Sequence, residues 1–237
     1  MIDKKISITV PAYNEEATIE KVSKEALSSV SKLTDKYELV LVNDGSTDQT
    51  PQIMEKLKEE FPGKVVTVHH EKNKGFSGAM KSCYENAKGD LIFLGPADGQ
   101  FDYQELKLFV EQIRKKDIVV AYRVVNEEKF YRKFYSFFYH LISKVLYGIR
   151  LKEFSSCILY TKKVRDSIAI NADPFSCLFL PEFMYKSIKK GYRIGQVPIH
   201  FHKRKGGVQK GTNVKMIIKT LSEMVKFWFK IRLGRIK

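Results

Sequence analysis

Residues 5–16 read KISITVPAYNEE, an apolar β-branched run that ends at a proline and is followed by polar and acidic residues. Residues 37–48, YELVLVNDGSTD, repeat this arrangement. Each run has the length and composition of a buried strand, and each is followed by a longer segment typical of a helix. Strands that alternate with helices in this way predict βαβ units and an α/β fold with a mostly parallel sheet.

The same reasoning assigns the remaining elements. Predicted strands cover residues 5–11, 37–43, 65–69, 91–95, 118–121, 156–160 and 192–201. Asn14 is the predicted cap of a first helix that runs to about Lys32, with two glutamates in its opening turn. A second helix begins at Thr47 or Asp48, Gly89 ends a third, and residues 103–115 and 182–190 form two more.

Charge is the most unusual feature of the composition. The 237 residues include 42 Lys and Arg but only 27 Asp and Glu, which gives a formal net charge of +15. This excess predicts an anionic partner. The three cysteines form no CxxC pair, so we expect free thiols in a reducing compartment. We also expect no secretion signal and no membrane-spanning segment.

Two segments have the composition of helices at a membrane surface. Residues 128–150 are rich in aromatic side chains with Lys and Arg among them, and residues 212–237 place apolar side chains at helical spacing among lysines. We expect one catalytic domain over residues 1–211, which includes the aromatic segment, and an amphipathic membrane-associating helix over residues 212–237. Ordinary burial of either helix is the alternative. The basic loop 203–212 contains three glycines and is either a lid or a solvated charge run.

Polar residues follow three of the predicted strands, where ligands of parallel sheets bind. Asp44 and Asp98 are poor core residues, because an unpaired buried carboxylate is costly. Either could instead cap a turn. Asp98 and the amide oxygen of Gln100 could together bind a hard divalent cation. The sequence contains neither a P-loop nor a GxGxxG motif after the first strand.

Four motifs occur in a fixed order: VPAYNE at 10–15, VNDGSTD at 42–48, NKGFSGA at 73–79 and ADGQ at 97–100. As a set they resemble family 2 glycosyltransferases of the GT-A fold. Arg123, the region 132–136 and the VPI of 197–199 make the chain most similar to dolichol-phosphate mannose synthases and related polyprenyl-phosphate glycosyltransferases. The resemblance implies a GT-A sheet flanked by helices and inverting transfer of a sugar from a nucleoside-diphosphate sugar to a polyprenyl or dolichyl phosphate.

The resemblance also implies roles for individual residues. Donor-binding positions would be Pro11, Ala12, Tyr13, Glu15, Val42, Asp44, Pro96, Ala97, Asp98, Gln100, Arg123, Arg204 and Lys210. Asp98 and Gln100 would hold Mg²⁺ or Mn²⁺, and Asp98, Arg123, Arg204 and Lys210 would act in catalysis. Arg132 and Ser136 would bind the lipid phosphate. Pro96 replaces the first acid of the family's Asp-x-Asp triplet, so weaker metal affinity is expected.

The acceptor decides whether a general base is needed. A phosphate monoester is already largely dianionic at neutral pH and needs none. A saccharide hydroxyl acceptor would need a base, for which Glu182 and Asp173 are candidates, although a surface helix start and a turn are the simpler interpretations. His200 and His202 could bind a metal, but strand-end packing or phosphate contact is preferred.

The expected partners follow from these interpretations. They are a nucleoside-diphosphate sugar, a polyprenyl or dolichyl phosphate and an anionic membrane surface. A membrane-embedded protein partner is left open, and nucleic acid is not expected. The predicted location is the cytoplasm, peripheral on the inner face of the membrane. A non-catalytic basic binding module remains the alternative from a different class.

Overall fold

The computed structural model describes residues 1–126, 130–154, 157–202 and 214–235. Seven strands form one sheet in the order β3-β2-β1-β4-β6-β5-β7. Their bounds are β1 Ile6–Ala12, β2 Tyr37–Asn43, β3 Val65–His69, β4 Leu91–Leu94, β5 Ile118–Asn126, β6 Ile158–Thr161 and β7 Ile194–Phe201. In the described sheet β6 alone is antiparallel to its neighbours β4 and β5, and the other pairs are parallel. The predicted mostly parallel α/β sheet is therefore confirmed.

Helices cover both faces of this sheet. They are α1 Ile19–Ser31, α2 Thr50–Glu60, α3 Gly75–Asn86, α4 Leu106–Gln112, α5 Phe130–Tyr147, α6 Lys162–Ser167, α7 Phe179–Lys189 and α8 Val214–Arg232. Short 3₁₀ turns, Tyr103–Glu105 and Ile113–Lys115, extend α4 at both ends. The predicted helix over residues 103–115 is thus a composite of α-helix and 3₁₀-helix.

The core consists of two apolar layers. Alternate side chains of a strand point to opposite faces, so Leu39 and Leu41 of β2 pack with α1, α2 and α4, whereas Val40 and Val42 pack with α3 and α7. Helix α8 belongs to the second layer, because its Met224 is fully buried. Tyr147 of α5 donates a 2.7 Å hydrogen bond to the Met224 carbonyl oxygen. The C-terminal helix therefore packs on the domain.

The start of α1 differs from the prediction. The helix begins at Ile19, four residues after the expected opening turn, and Asn14 does not cap it. Asn14 instead has φ +52°, and its side-chain oxygen accepts a 2.8 Å hydrogen bond from the Thr47 backbone N–H. The segment before α1 is thus bonded to the loop after β2 rather than wound into the helix.

Two other predicted boundaries were wrong. Helix α2 begins at Thr50, and the carboxylate of Asp48 accepts a hydrogen bond from the Thr50 N–H at 3.0 Å. Gly89 does not end α3, which stops at Asn86. A side chain at Gly89 would lie 2.6 Å from the backbone nitrogen of Ser7, so close approach to β1 explains this glycine.

Cys83, Cys157 and Cys177 form no disulfide in the described structure, and the first two are buried. Across the described ranges, no helix combines the length and apolar character needed to span a bilayer.

Candidate active site

The strand order brings the ends of β2, β1 and β4 next to one another. Ala12 pairs with Asn43 in the parallel register, and the Gly95 N–H donates to the Thr9 carbonyl oxygen at 3.0 Å. The loops after these strands carry three of the four sequence motifs. These three motif loops therefore lie at the same edge of the sheet.

Hydrogen bonds join the loops after β1 and β2. The Asn14 N–H donates to Ser46 Oγ at 2.9 Å, and the Glu15 N–H donates to Thr50 Oγ1 at 2.8 Å. Glu15 is buried, and its carboxylate also lies 3.3 Å from the Thr18 hydroxyl. Together these bonds fix the backbone directly after Tyr13, a candidate residue for binding the sugar donor.

Asp44 lies in a buried polar network. Its Oδ1 accepts hydrogen bonds from the Lys74 N–H at 2.8 Å and from His70 Nδ1 at 2.7 Å. His70 Nε2 in turn lies 2.7 Å from Ser82 Oγ. The described bonds do not support the turn interpretation of Asp44, because its carboxylate holds the loop that leads into α3, whereas Asn43 Oδ1 accepts from the Ser46 N–H in the turn at 2.9 Å. Sequence analysis did not identify His70 or Ser82, because a histidine at a strand end and a serine in a helix carry no motif.

The loop with Asp98 and Gln100 forms an Asx turn, with the Gln100 N–H donating to Asp98 Oδ1 at 3.1 Å. Gly99 has φ +69°, which favours glycine at this position. The Gln100 side chain donates through Nε2 to the His202 carbonyl oxygen at 2.9 Å. Gln100 thus connects the loop after β4 to the end of β7.

The donor atoms here fit a cation only in part. The parts of the chain that the structure describes contain no cluster of three or more His, Cys, Asp or Glu that could hold a metal ion. One carboxylate from Asp98 and one amide oxygen from Gln100 would need oxygen ligands from elsewhere to complete a shell for Mg²⁺ or Mn²⁺. Phosphate groups of a bound nucleotide are ligands of that kind.

Arg123, near the end of β5, is held by Glu153. Arg123 Nε donates to Glu153 Oε1 at 2.6 Å, Nη2 binds the same carboxylate, and the Arg123 N–H donates to Glu153 Oε2 at 3.0 Å. Nη2 also donates to Ser136 Oγ on α5 at 3.1 Å. Both charged side chains are largely buried. Arg123 is therefore part of an ion pair, and the structure places it beside Ser136, one of the two candidate lipid-phosphate residues.

Glu153 was missed by sequence analysis. The sequence signal for candidate residues is a position directly after a strand, whereas Glu153 precedes β6. Its neighbour His140, on α5, has its Nε2 3.8 Å from Glu153 Oε1. Burial lowers the pKa of His140 to about 4, and the nearby Arg123 acts in the same direction while Glu153 opposes it. His140 is thus neutral at physiological pH.

The other residues predicted to bind the sugar donor differ in their burial. Val42 is fully buried in the core, and Ala12 and Ala97 are nearly so, which leaves their side chains no path to a ligand. Pro11 and Pro96 are half-buried. Arg204, Lys210 and the side chain of Arg132 lie outside the described residues, so their roles stay predictions.

Glu182 lies in the first turn of α7, as expected, but the expectation of a surface position was wrong. Glu182 is 1% exposed and forms a 2.6 Å ion pair with Lys186, one turn further along α7. Both of its carboxylate oxygens also accept from the Asn171 N–H at 3.0 Å. Asp173 does form the predicted turn, accepting from the Phe175 N–H at 3.0 Å, and is paired with Lys219 of α8. Both candidate bases are thus committed to structural contacts.

His200 of β7 and His202, just after β7, form no metal site in the described structure. His200 is exposed, and its Nδ1 lies 2.7 Å from Glu105 Oε1. His202 contributes its backbone to Gln100, accepting from the side chain and donating its N–H to the Gln100 carbonyl oxygen at 2.9 Å. Strand-end packing, the preferred interpretation, agrees with these contacts.

Comparison with solved structures supports the fold. The chain matches glucosyl-3-phosphoglycerate synthase from Mycobacterium tuberculosis, solved with Mn²⁺, uridine diphosphate and phosphoglyceric acid, with a TM-score of 0.73 and 16% identity. The match covers 95% of this chain and 79% of the other. At this identity the likeness concerns the fold, and it confirms the predicted GT-A architecture.

The names of two sequence relatives include a polyprenyl phosphate. A dolichyl-phosphate beta-glucosyltransferase of Trichomonas vaginalis is 25% identical over 97% of this chain and 74% of its own length. An undecaprenyl-phosphate 4-deoxy-4-formamido-L-arabinose transferase of Photorhabdus laumondii is 30% identical over 55% of this chain and 40% of its own length. The sequence model of the family described as Glycosyl transferase family 2 matches residues 7–171. The chain therefore belongs to glycosyl transferase family 2.

Proposed function

We propose that this protein is an inverting glycosyltransferase that moves a sugar from a nucleoside-diphosphate sugar to a polyprenyl or dolichyl phosphate. The loops after β1, β2 and β4 would bind the donor, through Tyr13, Glu15, Asp44 and Asp98. The acceptor phosphate would bind near Arg123, Ser136 and Arg132. Both sequence relatives carry a polyprenyl-phosphate acceptor in their names, which supports this choice of substrate.

The leaving diphosphate must be stabilised as the sugar departs. Mg²⁺ or Mn²⁺ held by Asp98 and Gln100 would neutralise charge on that diphosphate. Arg204 and Lys210 would add positive charge from the segment after β7. The hydrogen bonds between Gln100 and His202 support this arrangement, because they attach the end of β7 to the loop that contains Asp98.

The contacts of the Glu182 and Asp173 carboxylates favour a phosphate acceptor over a hydroxyl acceptor. A hydroxyl must lose its proton to a base, and Glu182 and Asp173 are the candidates for that task. Glu182 is buried against Lys186, and Asp173 is paired with Lys219. A phosphate acceptor needs no base, since its oxygen is already an anionic nucleophile. These ion pairs therefore count against the saccharide alternative.

Helices α5 and α8 supply a candidate membrane surface. On each helix the face opposite the core exposes large apolar side chains. They are Phe134, Phe137, Phe138, Leu141 and Val145 of α5, and Ile218, Leu221, Val225, Phe229 and Leu233 on and just after α8. Val145 is 72% exposed and Ile218 is 62% exposed. An exposed apolar stripe of this size marks an interaction site.

The charge around this apolar surface favours a lipid bilayer as its partner. Lys144, Lys230, Arg232 and Arg235 are exposed on or next to the same two helices. Lysine and arginine near an anionic leaflet each contribute about 1 kcal/mol of attraction. We therefore assign the apolar faces of α5 and α8 to the cytoplasmic surface of a membrane that contains the lipid acceptor.

The hydrogen bond from Arg123 to Ser136 carries the proposal, because it joins the edge of the sheet to the aromatic helix α5. The test is transfer from a panel of nucleoside-diphosphate sugars, with Mn²⁺, to a polyprenyl phosphate, the matching polyprenol or an oligosaccharide. We expect product from the lipid phosphate alone. Transfer to the oligosaccharide but not to the lipid phosphate would refute the acceptor assignment, and no transfer from any donor would support a non-catalytic module.

Two matched variants sharpen this assay. Asp98→Asn should reduce transfer by at least about a hundredfold, the scale at which single charge-stabilising groups act. Asp102→Asn is the control, since Asp102 lies four residues away and accepts a 2.9 Å hydrogen bond from the Gln104 N–H. Equal rates for the two variants would remove Asp98 from the mechanism.

Vesicle binding tests the membrane assignment separately. Phe137→Ser combined with Phe229→Ser should lower co-sedimentation with anionic vesicles, while the exposed Val66→Ser on β3 should not. Undiminished binding by the double variant would contradict the role given to α5 and α8.

A further inference from the structure

Three polar side chains form a row from helix α3 to the edge of the candidate active site. Ser82 Oγ on α3 lies 2.7 Å from His70 Nε2, and His70 Nδ1 lies 2.7 Å from Asp44 Oδ1. His70 is 7% exposed and Asp44 is 3% exposed. The reaction proposed above uses Asp44, but it assigns no task to His70 or Ser82.

With a neutral imidazole, the chemistry of the three groups fixes the direction of the hydrogen bonds. An ionised carboxylate can only accept, so the proton between His70 and Asp44 must reside on Nδ1 of the imidazole. In the neutral imidazole Nε2 is then an acceptor, which the hydroxyl of Ser82 satisfies as a donor. Ser82 therefore stabilises the tautomer of His70 that donates to Asp44.

The two oxygens of the Asp44 carboxylate have different surroundings. Oδ1 accepts from both His70 Nδ1 and the Lys74 N–H, and rotation of the carboxylate would break both hydrogen bonds. Among the described residues no protein group donates to Oδ2. A buried carboxylate needs partners on its oxygens, so the two donors on Oδ1 offset part of the cost of burial and leave Oδ2 for a ligand.

We propose that His70 is a positioning residue for the donor nucleotide. It holds the Asp44 carboxylate so that Oδ2 meets an N–H or O–H group of the nucleoside, and Ser82 keeps His70 in the required tautomer. This inference rests on the proposed function in one respect, namely that Asp44 contacts the nucleoside of a nucleoside diphosphate.

Two conservative variants separate the nitrogens of His70. In His70→Asn the side-chain amide N–H takes the place of Nδ1 and can still donate to Asp44. In His70→Gln the amide reaches the position of Nε2, so the contact with Ser82 persists while the hydrogen bond to Asp44 is lost. Both replacements are polar, and the side-chain amide of either one can form a hydrogen bond at the buried position of His70.

The measurement is the dissociation constant of a nucleoside diphosphate with Mn²⁺, determined by calorimetry on the full chain. The nucleotide used is the one among UDP, GDP, CDP and dTDP that most raises the wild-type melting temperature. We expect His70→Gln to weaken binding about tenfold or more, the effect of losing a hydrogen bond to a charged group, and His70→Asn to stay within about threefold of wild type. Equal affinities of the two variants would overturn the proposal.

Tyr84→Phe controls for a general loss of stability in α3. The Tyr84 hydroxyl donates to the carbonyl oxygens of Arg165 and Ile168, at 2.7 and 2.8 Å, so its hydrogen bonds in the described structure do not involve Asp44. This variant should melt at a lower temperature and bind nucleotide as wild type does. Weaker binding by Tyr84→Phe to the same extent as His70→Gln would reduce His70 to a structural residue and refute its positioning role.

Kinetics give a second readout. With a positioning role, His70→Gln raises the KM for the donor and leaves both kcat at saturating donor and the KM for the lipid acceptor near their wild-type values. If wild type binds a nucleotide but transfers no sugar, the proposed reaction fails while the comparison of His70 variants still decides this inference. If wild type transfers sugar and His70→Gln has an unchanged donor KM, the inference fails alone.

Discussion

Replacing Glu182 with glutamine should destabilise the protein strongly, because Lys186 would then keep a buried charge without its partner. Glu182 is 1% exposed and Lys186 is 6% exposed, and Lys186 Nζ lies 2.6 Å from both Glu182 Oε1 and the Ala169 carbonyl oxygen. Removing one member of a buried ion pair costs about 3–5 kcal/mol. The Ala169 contact persists, so we expect the lower end, about 3 kcal/mol, and a fall in melting temperature of about 6–12 °C.

Removing both charges should restore much of this loss. In Glu182→Gln combined with Lys186→Met, no buried charge remains, and replacing a whole buried pair with neutral groups of similar volume is often nearly neutral. The melting temperature of the double variant should therefore lie closer to wild type than to Glu182→Gln. Differential scanning calorimetry of the three proteins measures both effects.

The double variant also tests the chemistry. Because Glu182 is not a base in the proposed reaction, transfer to the lipid phosphate, measured well below the melting temperatures, should keep a kcat within about threefold of wild type. A general base contributes about a hundredfold or more to the rate. A folded double variant with a loss of that size would refute the reasoning that the acceptor needs no base.

Three further predictions concern stability, pH and thiol reactivity. Gly45→Ala should lower both the melting temperature and the nucleotide affinity. Gly45 has φ +69°, and the new Cβ would lie 2.6 Å from the backbone nitrogen of Asn73 in the loop after β3. Gly63→Ala, at φ +73° with nothing within 4 Å, should cost only the local backbone strain of about 1–2 kcal/mol. Burial lowers the pKa of His140 from 6.5 to about 4, so the unfolded chain binds the proton more readily, and the free energy of unfolding should fall as pH decreases from about 6.5 to about 4. Urea titrations of His140→Phe should show a free energy of unfolding that depends less on pH over this range. An unchanged pH dependence would exclude His140 as the cause of the loss of stability at low pH. Burial raises the pKa of the Cys83 thiol and raises that of Cys177 to about 11, so iodoacetamide at pH 8 should label both cysteines far more slowly in native than in unfolded protein.

Much of the sheet followed from apolar runs and from the residues that terminate them. Strands β2 and β3 occupy the predicted residues, because each is bounded by a clear change from β-branched to polar side chains. The start of α1 did not follow, since Asn14 and Glu15 have good helix-opening residue types but bond instead to Thr47 and Thr50 across the sheet edge. Such tertiary hydrogen bonds override local capping preference and have no signal in one sequence.

The candidate site was predictable in part for a similar reason. Asp44 and Asp98 were found because they follow strands and because a charged residue there needs an explanation. The burial of Glu182 was not found, because its ion pair with Lys186 depends on how α7 packs, and a glutamate followed four residues later by lysine is equally common on exposed helices. His70 was missed because a histidine at a strand end carries no motif, and Glu153 was missed because it precedes a strand instead of following one.

The reversed direction of β6 has a consequence for how acceptor preference can be exchanged between related enzymes. Val120 of β5 and Leu94 of β4 both pair with Ile158 at the start of β6, so the chain leaves β5 and enters β6 at the same edge of the sheet. Helix α5 therefore lies in an excursion that leaves and re-enters the sheet at one edge, where the Arg123 N–H donates to Glu153 Oε2 at 3.0 Å. Because Val125 and Asn126 of β5 pair with β7, the exchangeable cassette begins after them, at residues 127–153, and includes Glu153. A chimaera made in this way would inherit its lipid from the guest sequence and its nucleotide from the host.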